Sequence, residues 1–198
     1  MTSEQTDTHV HKAHYVPNLP SITEREGMAD WPGSIADLLI KAMPGLMFEA
    51  TQALLDVVVT VDKGDLLRVL KTARTHTDLQ FDFLRSLTGV DWEDGGLEVV
   101  YHLWSTTKKH NVTIKARCRP DGARMPSASE IWKAADWHER ETHDMFGIVF
   151  EGHPNLVPLL LPDDFEGIYP LLKSRPLASL EVKQGAGISG GDEGEAEA

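Results

Sequence analysis

His138, Glu139 and His143 place two imidazoles around a carboxylate within WHERETHD, the residue types with which zinc proteases bind a metal and activate water. In that chemistry the histidines stand four residues apart on a helix, so both face one ion. Here they are five apart, and at about 100° per residue the step turns them roughly 140° from each other, against roughly 40° for a step of four. They do not readily share a metal, so a free-standing metallohydrolase is the least supported enzyme reading, and His138 reads as a hydrogen-bonded core or interface histidine. Gly185, Gly187 and Gly190 spell G-x-G-x-x-G, but only GDEGEAEA follows, too short and too acidic for the helix whose N-terminus would receive a pyrophosphate. His9, His11 and His14 lie among polar residues with no apolar period, and read as part of a solvated tail.

The carboxylates Glu139, Glu141 and Asp144 have acid–base potential if a pair is buried. On a helix, however, Asp136 with Arg140, Arg140 with Asp144, and Glu139 with His143 are i, i+4 neighbours able to neutralise one another. Each such pair contributes only about 0.2–0.5 kcal/mol to an isolated helix, which is a thin reason for so many charges. Burial against a partner explains the density better, because a guanidinium such as that of Arg140 bonds carboxylates and backbone across an interface.

The elements that must position these residues are legible from periodicity. Ser34 is placed to cap a helix over 35–43, ended by Pro44 and Gly45, and the β-branched run LLDVVVTV reads as a strand. Leu66, Leu67, Val69, Leu70 and Ala73 give 62–75 an amphipathic helical pattern. FDFLRSLTGVDW suggests a further strand. Leu97, Val99, Tyr101 and Leu103 alternate, as do Val112, Ile114, Ala116 and Cys118 after a polar turn near Lys108, which predicts an antiparallel hairpin with one buried face. Ser127 and Glu130 fit a capping box, so a helix is expected to run from there to Gly147 with an apolar stripe of Ile131, Ala135, Met145 and Phe146. The fold class is therefore α/β (α+β), a mixed or antiparallel sheet packed with helices. Pro154, Pro158, Pro162, Pro170 and Pro176 then break regular structure, leaving an extended arm whose leucines must bury against their own domain or a neighbour, and from His153 to Pro176 it is expected to be ordered mainly by other subunits. Four segments follow: a flexible tail over 1–30, an α/β core over 31–150, a docking arm over 151–180 and a disordered acidic tail over 181–198.

With 198 residues the chain suits one domain with a core of ordinary size. Lys and Arg total 19 against 31 Asp and Glu, a net charge of −12 that argues against general nucleic-acid or anionic-membrane binding. The single Cys118 excludes an internal disulfide and cannot supply the thiolates of an iron–sulfur cluster. Apolar runs fall far short of the about 20 residues a spanning helix needs, and the N-terminus lacks the pattern of a signal peptide, so a cytoplasmic location is expected.

ERETHDMFGIVFEGHPNLVPLLLPDDFEGIYPLLK, with the preceding SASEIWKAADWH and LEVVYHLWS, resembles the 30 kDa subunit family of respiratory complex I, the proton-pumping NADH:quinone oxidoreductases, over roughly residues 81–177. The resemblance implies a non-catalytic subunit of the peripheral arm, packed on the large quinone-site subunit and on the small cluster-bearing subunit, with a second cluster-bearing subunit a further candidate. It implies no cofactor in this chain, and iron–sulfur clusters, FMN and quinone in its partners. It also implies a place on the cytoplasmic face of the cell membrane, held through other subunits. The positions carried over, as interface and scaffold residues, are Glu139, Arg140, Glu141, Asp144, Phe146, Gly147, Gly152, His153, Pro154, Pro162, Gly167, Pro170, Leu171 and Lys173. Leu172, Ser174 and Arg175 stand where the family has Arg, Asp and Phe. Related subunits serve membrane-bound hydrogenases and other complex-I-like machines, which is the alternative reading.

Overall fold

Alternation in the LEVVYHLW and NVTIKARC segments builds the centre of the molecule. In the computed structural model, which describes residues 32–45, 48–53, 56–118, 122–162, 165 and 167–174, these segments are β4 (Leu97–Trp104) and β5 (Asn111–Cys118). They pair antiparallel with Leu97 opposite Cys118, Val99 opposite Ala116, Tyr101 opposite Ile114 and Leu103 opposite Val112. All eight of these side chains are buried on one face, as the period of two requires. The expected tails, 1–30 and 181–198, lie outside the described residues.

Around this hairpin stand β1 (Phe48–Ala53), β2 (Asp56–Val61) and β3 (Phe83–Asp91), in the order β1-β2-β5-β4-β3. The sheet is mixed: β2 runs parallel to β5, and the other pairs are antiparallel. Of the run read as one strand over 54–61, residues 56–61 form β2 and 54–55 lie outside the described residues, and β1 before it escaped prediction because FEATQA has no apolar alternation. Helix α1 spans Pro32–Ala42, so proline occupies the first turn, where its missing N–H costs nothing, and Ser34 lies within the helix rather than capping it. Helix α2 spans Leu66–Thr75 and buries Leu66, Val69, Leu70 and Ala73; residues 62–65 are a turn in which the Asp62 carboxylate accepts the Gly64 N–H.

Helix α3 (Lys133–Phe146) crosses over between β6 (Arg124–Pro126) and β7 (Val149–Glu151), which pair parallel as a separate small sheet. It ends at Gly147, whose φ of 73° is the left-handed cap expected there. Its start differs from the capping-box reading. The Ser127 hydroxyl is engaged by Ser129 and Glu139, residues 128–132 form a turn, and the helix begins only after an extended Trp132. The face it turns inward is Ala135, Glu139, Thr142 and Phe146. That spacing of four, three and four is a regular helical stripe, hidden in the sequence by its two polar members. Phe146 packs so tightly on β3 that a Cβ on Gly89 would lie 2.6 Å from its ring.

Candidate docking site on helix α3 and the arm

Buried carboxylates need donors, and Glu139 finds them in the loop before its own helix. Its side chain is fully buried; Oε2 accepts the Ser127 hydroxyl at 2.6 Å and Oε1 accepts the Ala128 N–H at 2.6 Å. Among the described residues no Lys or Arg pairs with it, and the His153 ring stands 4.0 Å from Oε2. Burial, against the pull of those two hydrogen bonds, pushes its carboxyl up to about 7, and the Asp136 charge adds to the rise. The phenol of Tyr101, wholly buried nearby, is pushed up as well, first by burial and then by the Glu139 charge.

The other polar residues of α3 hold the arm. Asp136, Arg140 and Asp144 stand one turn apart, and each holds a successive part of the chain beyond β7: Asp136 the His153 ring, Arg140 and Asp144 the backbone. His153 Nδ1 accepts the Asn155 N–H at 3.1 Å, which leaves the proton on Nε2 to be donated to Asp136. Arg140 donates from Nε to the Val157 carbonyl and from Nη2 to the Pro158 carbonyl, both at 3.0 Å. Asp144 Oδ2 accepts the N–H groups of Leu159, Leu160 and Leu161 at 2.7, 2.7 and 3.3 Å. These three residues therefore satisfy an arm that has no ladder of its own, rather than neutralising one another along the helix. None of the three expected i, i+4 ion pairs forms. The described arm lies against α3 of its own domain, where ordering mainly by other subunits had been expected, because the charged side chains of α3 supply the partners its backbone lacks.

The remaining resemblance positions sort by exposure. Phe146 is buried on Gly89; Gly147, Gly152 and Gly167 all have positive φ. Glu141, Pro154 and Pro162 are exposed, Pro170 is half-buried, and Leu171 donates its N–H to the Met145 carbonyl while its side chain stays in solvent. Lys173 closes the arm on the turn after β3, with its N–H on Asp91 at 2.8 Å and Nζ 3.3 Å from Glu93. Sequence reasoning missed Ser127 and Ala128 as partners of Glu139, and Trp137 as an outward-facing residue. The signal for the first was SAS preceding a helix that carries a lone Glu on its apolar stripe.

Among the described residues no three His, Cys, Asp or Glu side chains are arranged to hold a metal ion. His143, one of the zinc-motif candidates, has Nδ1 on the Ile148 carbonyl at 2.9 Å. The Cys118 thiol is buried, and burial raises its pKa. No described helix is long and apolar enough to cross a membrane.

The family model for the respiratory-chain NADH dehydrogenase 30 kDa subunit matches residues 59–181. The chain belongs to that family. It is 39% identical over 143 residues to a relative in Roseiflexus castenholzii, a subunit of NADH-quinone oxidoreductase, covering 71% of this chain and 82% of that one. With the corresponding NADH-quinone oxidoreductase chain of Chloroherpeton thalassium it shares 53% identity over 101 residues, which is 50% of this chain and only 42% of the length of that relative. Among solved structures, a chain of the membrane-bound sulfane sulfur reductase, an archaeal respiratory membrane complex, superposes with a TM-score of 0.67 at 26% identity, over 83% of this chain and 97% of that one. The matched family region thus contains β4 and β5, all of α3 and the described arm.

Proposed function

We propose that the chain is a non-catalytic subunit of the peripheral arm of a proton-translocating NADH:quinone oxidoreductase, where it scaffolds the module that passes electrons through iron–sulfur clusters to quinone. The observation that carries this reading is how the charged motif on α3 is used. Asp136, Arg140 and Asp144 seat the arm, and Glu139 ties the preceding loop, so the densest ionisable region of the chain is committed to shape. In this reading the clusters, FMN and quinone belong to its partners, the large quinone-site subunit and the small cluster-bearing one, with a second cluster-bearing subunit a further neighbour. The complex holds it on the cytoplasmic face of the cell membrane without a span of its own. Glu139, Arg140 and Asp144 then serve the interface indirectly, by fixing the arm that meets the partners.

A second reading keeps the role and changes the machine, and the likeness to a chain of a sulfane sulfur reductase complex favours it over a free enzyme. Affinity purification of the chain from its own membranes separates the readings. The expected product is a multi-subunit assembly containing flavin and iron–sulfur absorbance and oxidising NADH with quinone, while the chain purified alone has neither absorbance nor activity. Turnover with a different donor and none with NADH selects the second reading. Stoichiometric iron, flavin or oxidoreductase activity on the single chain overturns both.

A further inference from the structure

Glu139 and His153 are both shielded from solvent along the whole side chain, and they face each other where the arm leaves β7, with Nε2 of the ring 4.0 Å from Oε2 of the carboxyl. A buried carboxylate needs a cation beside it, and among the described residues this ring is the only one within reach. The hydrogen bonds of the ring deny it that role. Nδ1 accepts the Asn155 N–H at 3.1 Å, and an imidazolium, which donates from both nitrogens, would lose that bond. Nε2 donates to Asp136, 3.1 Å from both its carbonyl and its Oδ1. The geometry thus sets a neutral ring over a carboxyl without a counter-charge, and such a group sheds its own charge by holding a proton.

The loop before α3 has room for that proton. A protonated Oε2 donates to Ser127 Oγ across the same 2.6 Å, the Ser127 hydroxyl turns to Ser129 at 2.7 Å, and Oε1 keeps the Ala128 N–H. The other groups that face the carboxyl supply no positive charge. On its own helix Asp136 adds a like charge, while Arg140 is committed to the arm carbonyls and His143 to the Ile148 carbonyl. From the sheet, Tyr101 presents a phenol and Cys118 beyond it a thiol, both kept neutral by burial, and the buried β3 residues Leu84 and Leu87 are apolar. Glu151 of β7 is exposed and paired with Arg124.

We propose that Glu139 and His153 form a proton-operated latch for the start of the arm: the proton on the Glu139 carboxyl keeps the His153 ring seated between Asp136 and Asn155, and its loss releases that segment. Linkage gives the direction. The seated ring seals the carboxyl from water, so the seated form binds the proton more tightly than the released form, in which the carboxyl is hydrated. Between the ordinary 4.5 of a hydrated carboxyl and the value of about 7 reached when it is sealed, each pH unit lowers the seating equilibrium about tenfold; outside that window it is level. The latch belongs to the chain itself and works in whichever assembly the chain serves.

Carbon-13 NMR of the Glu139 carboxyl and hydrogen exchange of the Asn155 amide, both on the full chain, read the two ends of the latch. The carboxyl is expected to titrate near 7. Asn155 protection, corrected for the base catalysis of exchange, should fall about tenfold or more between pH 5.5 and pH 7.5. Glu139→Gln keeps an acceptor for the Ala128 N–H and a donor for Ser127 but has no proton to lose, so its Asn155 protection should be equal at the two pH values. His153→Ala uncovers the carboxyl and should move its titration down toward 4.5, a shift that a merely structural histidine would not cause. The wild-type measurements decide by themselves if a variant does not fold: a carboxyl titrating in the ordinary range, or an Asn155 amide unprotected throughout or equally protected at both pH values, overturns the latch. So does pH-dependent protection that survives in Glu139→Gln, or a titration that stays near 7 in His153→Ala.

Discussion

Glu139 reaches back eleven residues to Ala128, and the 2.6 Å bond from the Ala128 N–H to its Oε1 closes the loop between β6 and α3 over a fully buried carboxylate. The two groups that hydrogen-bond to it, the Ser127 hydroxyl and the Ala128 N–H, are both neutral. Its folded pKa, raised to about 7, therefore sits well above the ordinary value of 4.5.

The sign of the pH dependence follows from that rise. A carboxyl that binds its proton more tightly when folded supports the fold fully below the unfolded pKa and loses that support as pH climbs through the folded pKa. Between pH 5 and pH 8, Glu139→Gln should therefore gain on the wild type by roughly 2–3 kcal/mol. Urea denaturation of both proteins at the two pH values checks this. A difference between them that does not change with pH would show that Glu139 is not protonated on folding.

Asp144 organises the arm through backbone N–H groups, and hydrogen bonds to a charged acceptor contribute roughly 1.5–3 kcal/mol each. Asp144→Ala is expected to remove protection from the amides of Leu159, Leu160 and Leu161 while leaving β4 and β5 protected. Hydrogen exchange on the isolated chain reads this directly. The same three amides, if already unprotected in the isolated wild type, would mean that the arm is ordered by its partners rather than by α3.

Arg140→Lys keeps the charge but loses the planar fork that serves two carbonyls at once. Faster exchange and easier proteolysis near Asn155–Leu159 are expected, with a global stability loss of about 1–2 kcal/mol. Limited proteolysis beside a melting curve distinguishes a loosened arm from a weakened core, since only the second would shift the whole cleavage pattern.

Gly89 faces Phe146 across the β3–α3 contact, where an added Cβ would meet ring atoms at 2.6, 2.9 and 3.0 Å. Gly89→Ala should cost about 1–3 kcal/mol through overpacking. Phe146→Leu is expected to be destabilising by itself yet to recover part of the loss in the double variant. A double-mutant cycle with no coupling between the two sites would contradict the packing described.

The sequence by itself determined the elements whose burial follows a simple period. The β4–β5 hairpin with its buried face, helix α2 and the glycine stop of α3 were all legible, because apolar alternation and the left-handed preference of glycine are local properties. The motif residues also carried the family, which the match over 59–181 established. Only the tertiary structure decided what the charges do. Glu139 looks like a surface acid in the sequence, yet it lies on the buried stripe because Ser127 and Ala128, brought over by a turn, supply its donors. Asp136, Arg140 and Asp144 look like partners for one another at i, i+4. A proline-broken arm laid across the helix offers the His153 ring to Asp136 and unpaired backbone groups to Arg140 and Asp144 instead, and hydrogen bonds to a charged group outweigh a weak exposed ion pair. Long-range polar satisfaction of this kind leaves no period in the chain, so it appears only once the fold has brought the two segments together.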